Sequence, residues 1–479
     1  MAWFLIAFPL LAAVLAFAKA SGRFRVRLLP VTGALHLAAL VLALVLGRYA
    51  QSGVEAWLGL DPLGSWGLLV ISVLFCICAC YAPAYLALRP ERDNRVFTAS
   101  FLAFLGLASL LAMAHHPGLV WVAMETTTLA TAPLIYFNHN RRSIEATWKY
   151  LIIGSVGIAL ALLGTLFLAY AAKLGGLEEP LFFTRLMERG ASLSRPWLRA
   201  GFVLALVGYG TKMGLAPLHT WKPDAYGESP GVIGALLAGG VTTCAFLALL
   251  RIFAVMAAAG ELAFARKLML GMGLLSMLWA AVFMVRQLDI RRLLAYSSVE
   301  HMGILAFGIG VGGRAVVFAL FHLAANALVK GVLFMSAGNI NRSYASKRLP
   351  YVTGAIRRTP VSGWLFFLGF LAITGTPPFA PFISEFNIAA AALARPSLWA
   401  GAAFLVLLAG IFLAMGDTVV QVVFGTPPAD RVRTPYRDTL ATTAPLLVAL
   451  GLAVTLGLWL PAPVGAMIHS AANLVEGQP

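Results

Sequence analysis

Apolar residues gather into stretches of about twenty, parted by short polar connections, along nearly the whole chain. One helix of that length crosses the hydrocarbon layer of a bilayer. Fourteen spans are predicted, at residues 2–18, 28–47, 63–88, 96–114, 118–138, 146–172, 200–217, 231–256, 268–286, 294–312, 315–340, 361–392, 397–424 and 439–460. The pattern predicts an all-α polytopic membrane protein, with residues 1–479 forming a single transmembrane domain. Of the connections in the first half, only 173–199 is long, with room for a short interfacial helix at 181–187. A tail at 464–475 is too short to cross and is expected on the surface.

Two spans break the helical rules in the same way. The seventh reads Gly-Tyr-Gly-Thr-Lys-Met-Gly-Leu-Ala-Pro and ends on Pro217; the twelfth reads Thr-Gly-Thr-Pro-Pro-Phe-Ala-Pro and holds Pro377 and Pro378. Proline removes a backbone donor and clashes with the preceding turn. Freed backbone is tolerated in a bilayer only where it faces protein or a watery cavity. The breaks fall at the fourth position of spans 4–8 and of spans 9–13. Paired discontinuous helices in inverted repeats point to an ion path. The division expected is three N-terminal helices (1–95), a first repeat (96–256), a second (268–424) and a C-terminal helix and tail (439–479).

Composition agrees: 60% of residues are hydrophobic and 11% charged, with a mean hydropathy of +0.87, against about 25% charged in soluble domains. The net charge of +16 would suggest nucleic acid in a soluble protein. Here the basic residues sit in clusters between spans, as the positive-inside rule requires, and no nucleic-acid partner is expected. With the N-terminus outside, the cytoplasmic connections hold 22 of the 35 Lys and Arg, the opposite side 10, and the spans only Lys212, Arg251 and Lys330. Residues 2–18 run into Ala-Lys-Ala, which loosely imitates a cleavage site. No basic residue precedes them and four follow, the charge order of an uncleaved helix. Both termini are expected outside a cytoplasmic (inner) membrane.

Cys76, Cys78 and Cys80 lie within a span, and only the first and third share a helix face. They and Cys244 read as small core side chains, and no metal site is expected. The chain has no Cys₄ cluster set, haem motif or Gly-rich nucleotide loop after a strand, so no cofactor of its own is expected.

A charge deep in a bilayer is a functional candidate by default. Four stand out: Glu125, alone on its span; Lys212, five residues before Pro217; Lys330; and Glu385, after the second break. His322, Asn326 and Lys330 recur every four residues and so share a helix face. Burial and opposite charges push the proton affinities of amines and carboxylates in opposing directions, so a row of such groups can pass a proton along. The competing reading makes each charge a structural ion pair. Arg251, near a span end, is expected to snorkel to the interface, and His115 and His116 to lie at the interface.

At these residues the chain resembles the antiporter-like subunits of complex I. The resemblance rests on Leu-Ala-Pro-Leu-His-Thr-Trp-Lys-Pro-Asp-Ala at 215–225, Asp-Ile-Arg-Arg-Leu-Leu-Ala-Tyr-Ser-Ser at 289–298, the His322/Asn326/Lys330 row, and Gly-Thr-Pro-Pro-Phe-Ala-Pro-Phe-Ile-Ser-Glu at 375–385. It covers roughly residues 60–430. It implies fourteen helices, two inverted five-helix repeats, and a proton path through Glu125, Lys212, His322, Lys330 and Glu385, with Glu125 and Lys212 a coupled pair. The family's Lys or His on span eight is missing; Thr242 and Thr243 stand there, able to hold water but not the charge. The family's second histidine on span eleven is Asn326. Glu300 and His301, in Ser-Ser-Val-Glu-His-Met-Gly, resemble the F component of hydrogenase-4 and formate hydrogenlyase complexes. The function implied is translocation of H⁺, or of Na⁺ against H⁺, by a membrane subunit beside others. Those others would connect it to a peripheral hydrogenase or iron–sulfur arm. An NADH or ferredoxin dehydrogenase, a multi-subunit Na⁺/H⁺ antiporter, an inorganic-carbon uptake complex and a non-pumping scaffold are the alternatives.

Overall fold

All fourteen predicted stretches are helical in a computed structural model, which describes residues 2–18, 21–47, 57–177, 181–394, 398–427 and 434–478. The first six are α1 (Ala2–Ala18), α2 (Gly22–Val45), α3 (Pro62–Ala87), α4 (Arg95–Met113), α5 (Pro117–Ile135) and α6 (Arg141–Leu174). A short α7 (Phe183–Glu188) occupies the long connection, as expected. The seventh stretch becomes α8 (Arg195–Met213), a break, and α9 (Trp221–Glu228). The eighth is α10 (Gly231–Leu236), a π-helical turn at Leu237–Val241, and α11 (Thr242–Ala258). Then follow α12 (Leu262–Met284), α13 (Ile290–Val311), α14 (Arg314–Tyr344), a short α15 (Ala355–Arg358), α16 (Pro360–Ile373), α17 (Ala380–Leu393), α18 (Leu398–Phe424), α19 (Leu440–Leu458) and α20 (Ala462–Glu476). Among the described residues the β-structure is two isolated bridges.

Burial sorts the helices into an outer ring and a centre. Leu11 on α1, Trp148 and Ile152 on α6, and Val406 and Leu413 on α18 are exposed, an apolar surface suited to lipid. By contrast α13 and the run Gly231–Ala258 are buried on every side, and α14 nearly so. Helices approach closely where glycines remove side chains. A Cβ on Gly208 would sit 2.6 Å from the Gly157 carbonyl oxygen, and one on Gly303 2.8 Å from that of Gly273. Small-residue packing of this kind joins helices in lipid, where hydrophobic attraction between them is lost.

The breaks are built alike. Gly214 (φ 82°) closes α8 and Gly375 (φ 69°) follows the end of α16, each in the left-handed region glycine favours. In both, the second bond after the glycine's successor is a cis X-Pro peptide, Ala216–Pro217 and Pro377–Pro378. Protein groups satisfy the freed backbone around the first break: Trp221 Nε1 donates to the Thr211 carbonyl at 2.8 Å and Ala216 N to Ser276 Oγ at 2.9 Å. Leu215 and Ala216 are fully enclosed, while Pro217 and Thr220 are exposed, so the break faces packed protein on one side and the surface on the other.

Arg251 is buried, ion-paired with Asp61 at the start of α3, and donates to the Ala112 carbonyl at 2.7 Å. Two expectations change. Cys80 is exposed rather than core, while Cys78 and Cys244 are buried. The tail does not simply lie on the surface. Helix α20 buries Ile468, Ala471, Ala472 and Val475, and its Glu476 pairs with Arg266 and accepts from Gly313 N at 2.7 Å.

Candidate functional site

Polar side chains inside an apolar bundle must find one another, because an unpaired charge in that medium costs several kcal/mol. Here they form a row across the central helices. It starts on α5, where Glu125 is half-buried and accepts from Ser155 Oγ of α6 at 2.9 Å. Lys212, at the end of α8, is fully buried. Its ammonium has no hydrogen-bond partner among the described residues and lies 4.6 Å over the Tyr150 ring, whose hydroxyl meets Thr131 Oγ1 at 2.7 Å. Gly154 makes this placement possible: a Cβ there would come within 2.3 Å of Lys212 Nζ. Glu125 and Lys212 make no direct ion pair among the described residues, yet both rest on adjacent residues of α6, Glu125 on Ser155 and Lys212 against Gly154.

The row continues on α13 and α14. Lys330, fully buried, donates to Ser297 Oγ at 2.5 Å, and Ser297 reaches Glu300 Oε2 at 3.4 Å. Glu300 and Glu385 are the carboxylates acting on Lys330. His301 Nε2 is 3.7 Å from Glu300 Oε2. Its Nδ1 meets His322 Nε2 at 2.9 Å, and His322 Nδ1 meets Ser384 Oγ of α17 at 2.7 Å. A neutral imidazole has one donor and one acceptor nitrogen, so two rings bonded through nitrogen and then to a hydroxyl form a chain along which a proton can hop. Glu385 closes this end: atoms of His301, His322 and Glu385 lie within 4.8 Å of one another.

The structure thus gathers Lys212, His322, Lys330 and Glu385 in the interior, with Glu300 and His301 beside them rather than accessory, and leaves Glu125 half-buried at the α5 edge. Asn326 is buried between His322 and Lys330 on α14, its Oδ1 without a partner among the described residues. The Thr242 and Thr243 hydroxyls donate to the Ala238 and Gly239 carbonyls at 2.6 and 2.5 Å, spent on the π-helical turn of their own helix. Pro217, Pro377 and Pro378 form the two breaks.

Sequence reading missed Lys222. Flanked by Pro217 and Pro223, it reads as a connecting segment; on α9 it is fully buried and donates to Ser298 Oγ at 3.1 Å. Serines 297, 298 and 384 and Tyr150 were missed too. No periodicity marks a hydroxyl that ends on a charge from another helix.

Fold and row together define a membrane protein that keeps charges inside its bundle. Residues 114–412 match the NADH:quinone oxidoreductase/Mrp antiporter transmembrane family. The hydrogenase-4 component F homolog of Methylacidiphilum infernorum is 36% identical over 392 residues, 77% of this chain and 81% of that one. NADH-quinone oxidoreductase subunit N of Desulforudis audaxviator is 34% identical, over 70% of this chain and 66% of that one. Among solved structures, a chain of the Mrp complex from Dietzia sp. DQ12-45-1b superposes with a TM-score of 0.88 at 21% identity, covering 99% of this chain and 97% of that one. The chain belongs to this family: it is an antiporter-like, multi-pass membrane subunit of the complex I-related kind.

Proposed function

We propose that the chain conducts protons along the buried row from Glu125 through Lys212 and Lys330 to Glu385, as a membrane subunit of a hydrogenase-type complex. One observation carries the reading. With Lys222 counted, three amines and three carboxylates stand on six different helices, all but the half-buried Glu125 enclosed, and hydroxyls and two imidazoles link those on α9, α13, α14 and α17. Fixed ion pairs would bring opposite charges into contact. Instead Lys212 rests on a ring and Lys330 on a serine, so each amine can gain or lose a proton as a neighbouring carboxylate changes charge. In a low-dielectric interior such neighbours couple by several kcal/mol (order of magnitude), which lets one site drive the next.

The hydrogenase-type assignment is supported by the Glu300–His301 pair and by the likeness to a hydrogenase-4 component F homolog. Redox chemistry then belongs to a peripheral hydrogenase or iron–sulfur arm, reached through other membrane subunits, in a cytoplasmic membrane with both termini outside. A neighbouring subunit is also called for by Glu125. This half-buried carboxylate lies beside exposed Val122, Leu129, Ile152 and Val156, and a charge on so apolar a face is costly against lipid.

The test is proton uptake by vesicles carrying the assembled complex, driven by its own redox reaction. Lys330→Met is expected to assemble and to abolish uptake, and uptake by the parent is expected to be the same with and without Na⁺. Uptake at the parent rate in Lys330→Met would overturn the path; uptake that stops without Na⁺ would make the ion sodium.

A further inference from the structure

Lys222 lies outside every span read from the sequence, yet it is as deeply buried as Lys212 and Lys330. Its ammonium sits on Ser298 Oγ at 3.1 Å, and the adjacent Ser297 holds Lys330 at 2.5 Å. Two consecutive hydroxyls of α13 therefore receive one lysine from α9 and one from α14. The space for the first is built in: a Cβ on Gly214 would meet Lys222 Cε at 2.2 Å and Cδ at 2.4 Å. The charge of Lys330 acts on Lys222, and that of Lys222 on His301 and His219, so Lys222 belongs electrically to the row.

Lys222 itself is enclosed, but the two residues that follow it reach the end of the bundle. A cavity of about 570 Å³ there is lined by Pro223 and Asp224, the two residues after Lys222, with Glu145, Glu228 and Asp289. Its rim is pinned by Lys347, which pairs with Glu228 at 2.9 Å and Asp289 at 3.2 Å. The lining also holds Arg142, Arg292 and Arg348, so a buried amine stands next to the wall of a charged, polar cavity and on the hydroxyl that neighbours Lys330's own.

We propose that Lys222 is a proton-carrying group, loaded from this cavity and discharging toward Lys330 through the Ser298 and Ser297 hydroxyls. The ammonium gives up one proton and becomes an amine. The hydroxyls accept and release a proton in turn, the Lys330 amine becomes an ammonium, and Lys222 is reloaded from the cavity; no electrons move. Lys222 thereby places a titratable amine in the centre of a row whose eighth span offers only Thr242 and Thr243.

The proposal rests on reading the chain as a proton conductor, and the experiment separates the two. In vesicles carrying the assembled complex, Lys222→Met is expected to lower proton uptake at least about tenfold with assembly unchanged. Lys222→Arg is expected to fail as badly, because a guanidinium keeps the charge but does not release its proton. Ser298→Ala, a smaller change that breaks the relay, is expected to slow uptake several-fold. Parent-rate uptake in Lys222→Arg would make Lys222 a fixed structural cation and overturn the proposal. So would parent-rate uptake in Lys222→Met or in Ser298→Ala, the latter deciding the matter should changes at 222 prevent assembly. Lys212→Met is measured alongside: loss there with normal uptake in the 222 variants defeats this proposal alone, and normal uptake in all of them defeats the proton-path reading as well.

Discussion

At the scale of single residues, two of the buried amines have their place made by a glycine next to them. Gly154 clears the end of Lys212 and Gly214 the stem of Lys222. The consequence for Gly154 is testable. A methyl at that position meets only the mobile end of Lys212, so Gly154→Ala is expected to assemble normally while displacing the ammonium from Tyr150. Proton uptake should fall roughly tenfold, the effect of about 1.4 kcal/mol on a barrier. Uptake at the parent rate, with the variant assembled, would mean that the position of Lys212 does not matter. Glu125, Lys212, Lys330 and Glu385 were legible in the sequence because a charge inside an apolar run is conspicuous. Lys222 was not, since two prolines disguise α9 as a loop, and neither were Ser297 and Ser298, which acquire meaning only when α9 and α14 come to rest against α13.

At the scale of elements, the breaks after α8 and α16 share one plan and differ in what surrounds the glycine. A non-glycine residue in the left-handed region costs about 1–2 kcal/mol, so Gly214→Ala and Gly375→Ala should both lower the thermal stability of the purified complex. Gly214→Ala should lower it more. Its Cβ strikes the fully buried Lys222 stem, whereas at Gly375 the nearest atom is Glu385 Oε2, at 2.3 Å and the end of a flexible chain. Melting curves in one detergent would check the order; equal and negligible shifts would contradict it. The helices themselves were legible almost throughout, and where their ends differ a local bond explains it. Helix α6 begins at Arg141 rather than near 146 because Asn140 and Ser143 form a capping box. The π-helical turn at Leu237–Val241 and the docking of α20 were not legible. The first is a backbone adjustment without a side-chain signal, and the second depends on Arg266 and Gly313 from elsewhere in the chain.

At the scale of the whole molecule, the central claim is that the buried charges work as one conducting row, with Glu125 and Lys212 as its switch. The two are coupled without touching. Removing one partner of a buried pair typically costs about 3–5 kcal/mol, whereas removing both can be far milder. Stability and transport should therefore separate in a double-variant cycle. The measurement is proton uptake by vesicles, normalised to assembled complex, for Glu125→Gln, Lys212→Met and the two combined. Both single variants are expected to abolish uptake and reduce assembly, and the double variant to regain assembly without regaining uptake. Uptake at the parent rate in either single variant, or recovered with assembly in the double, would contradict the switch.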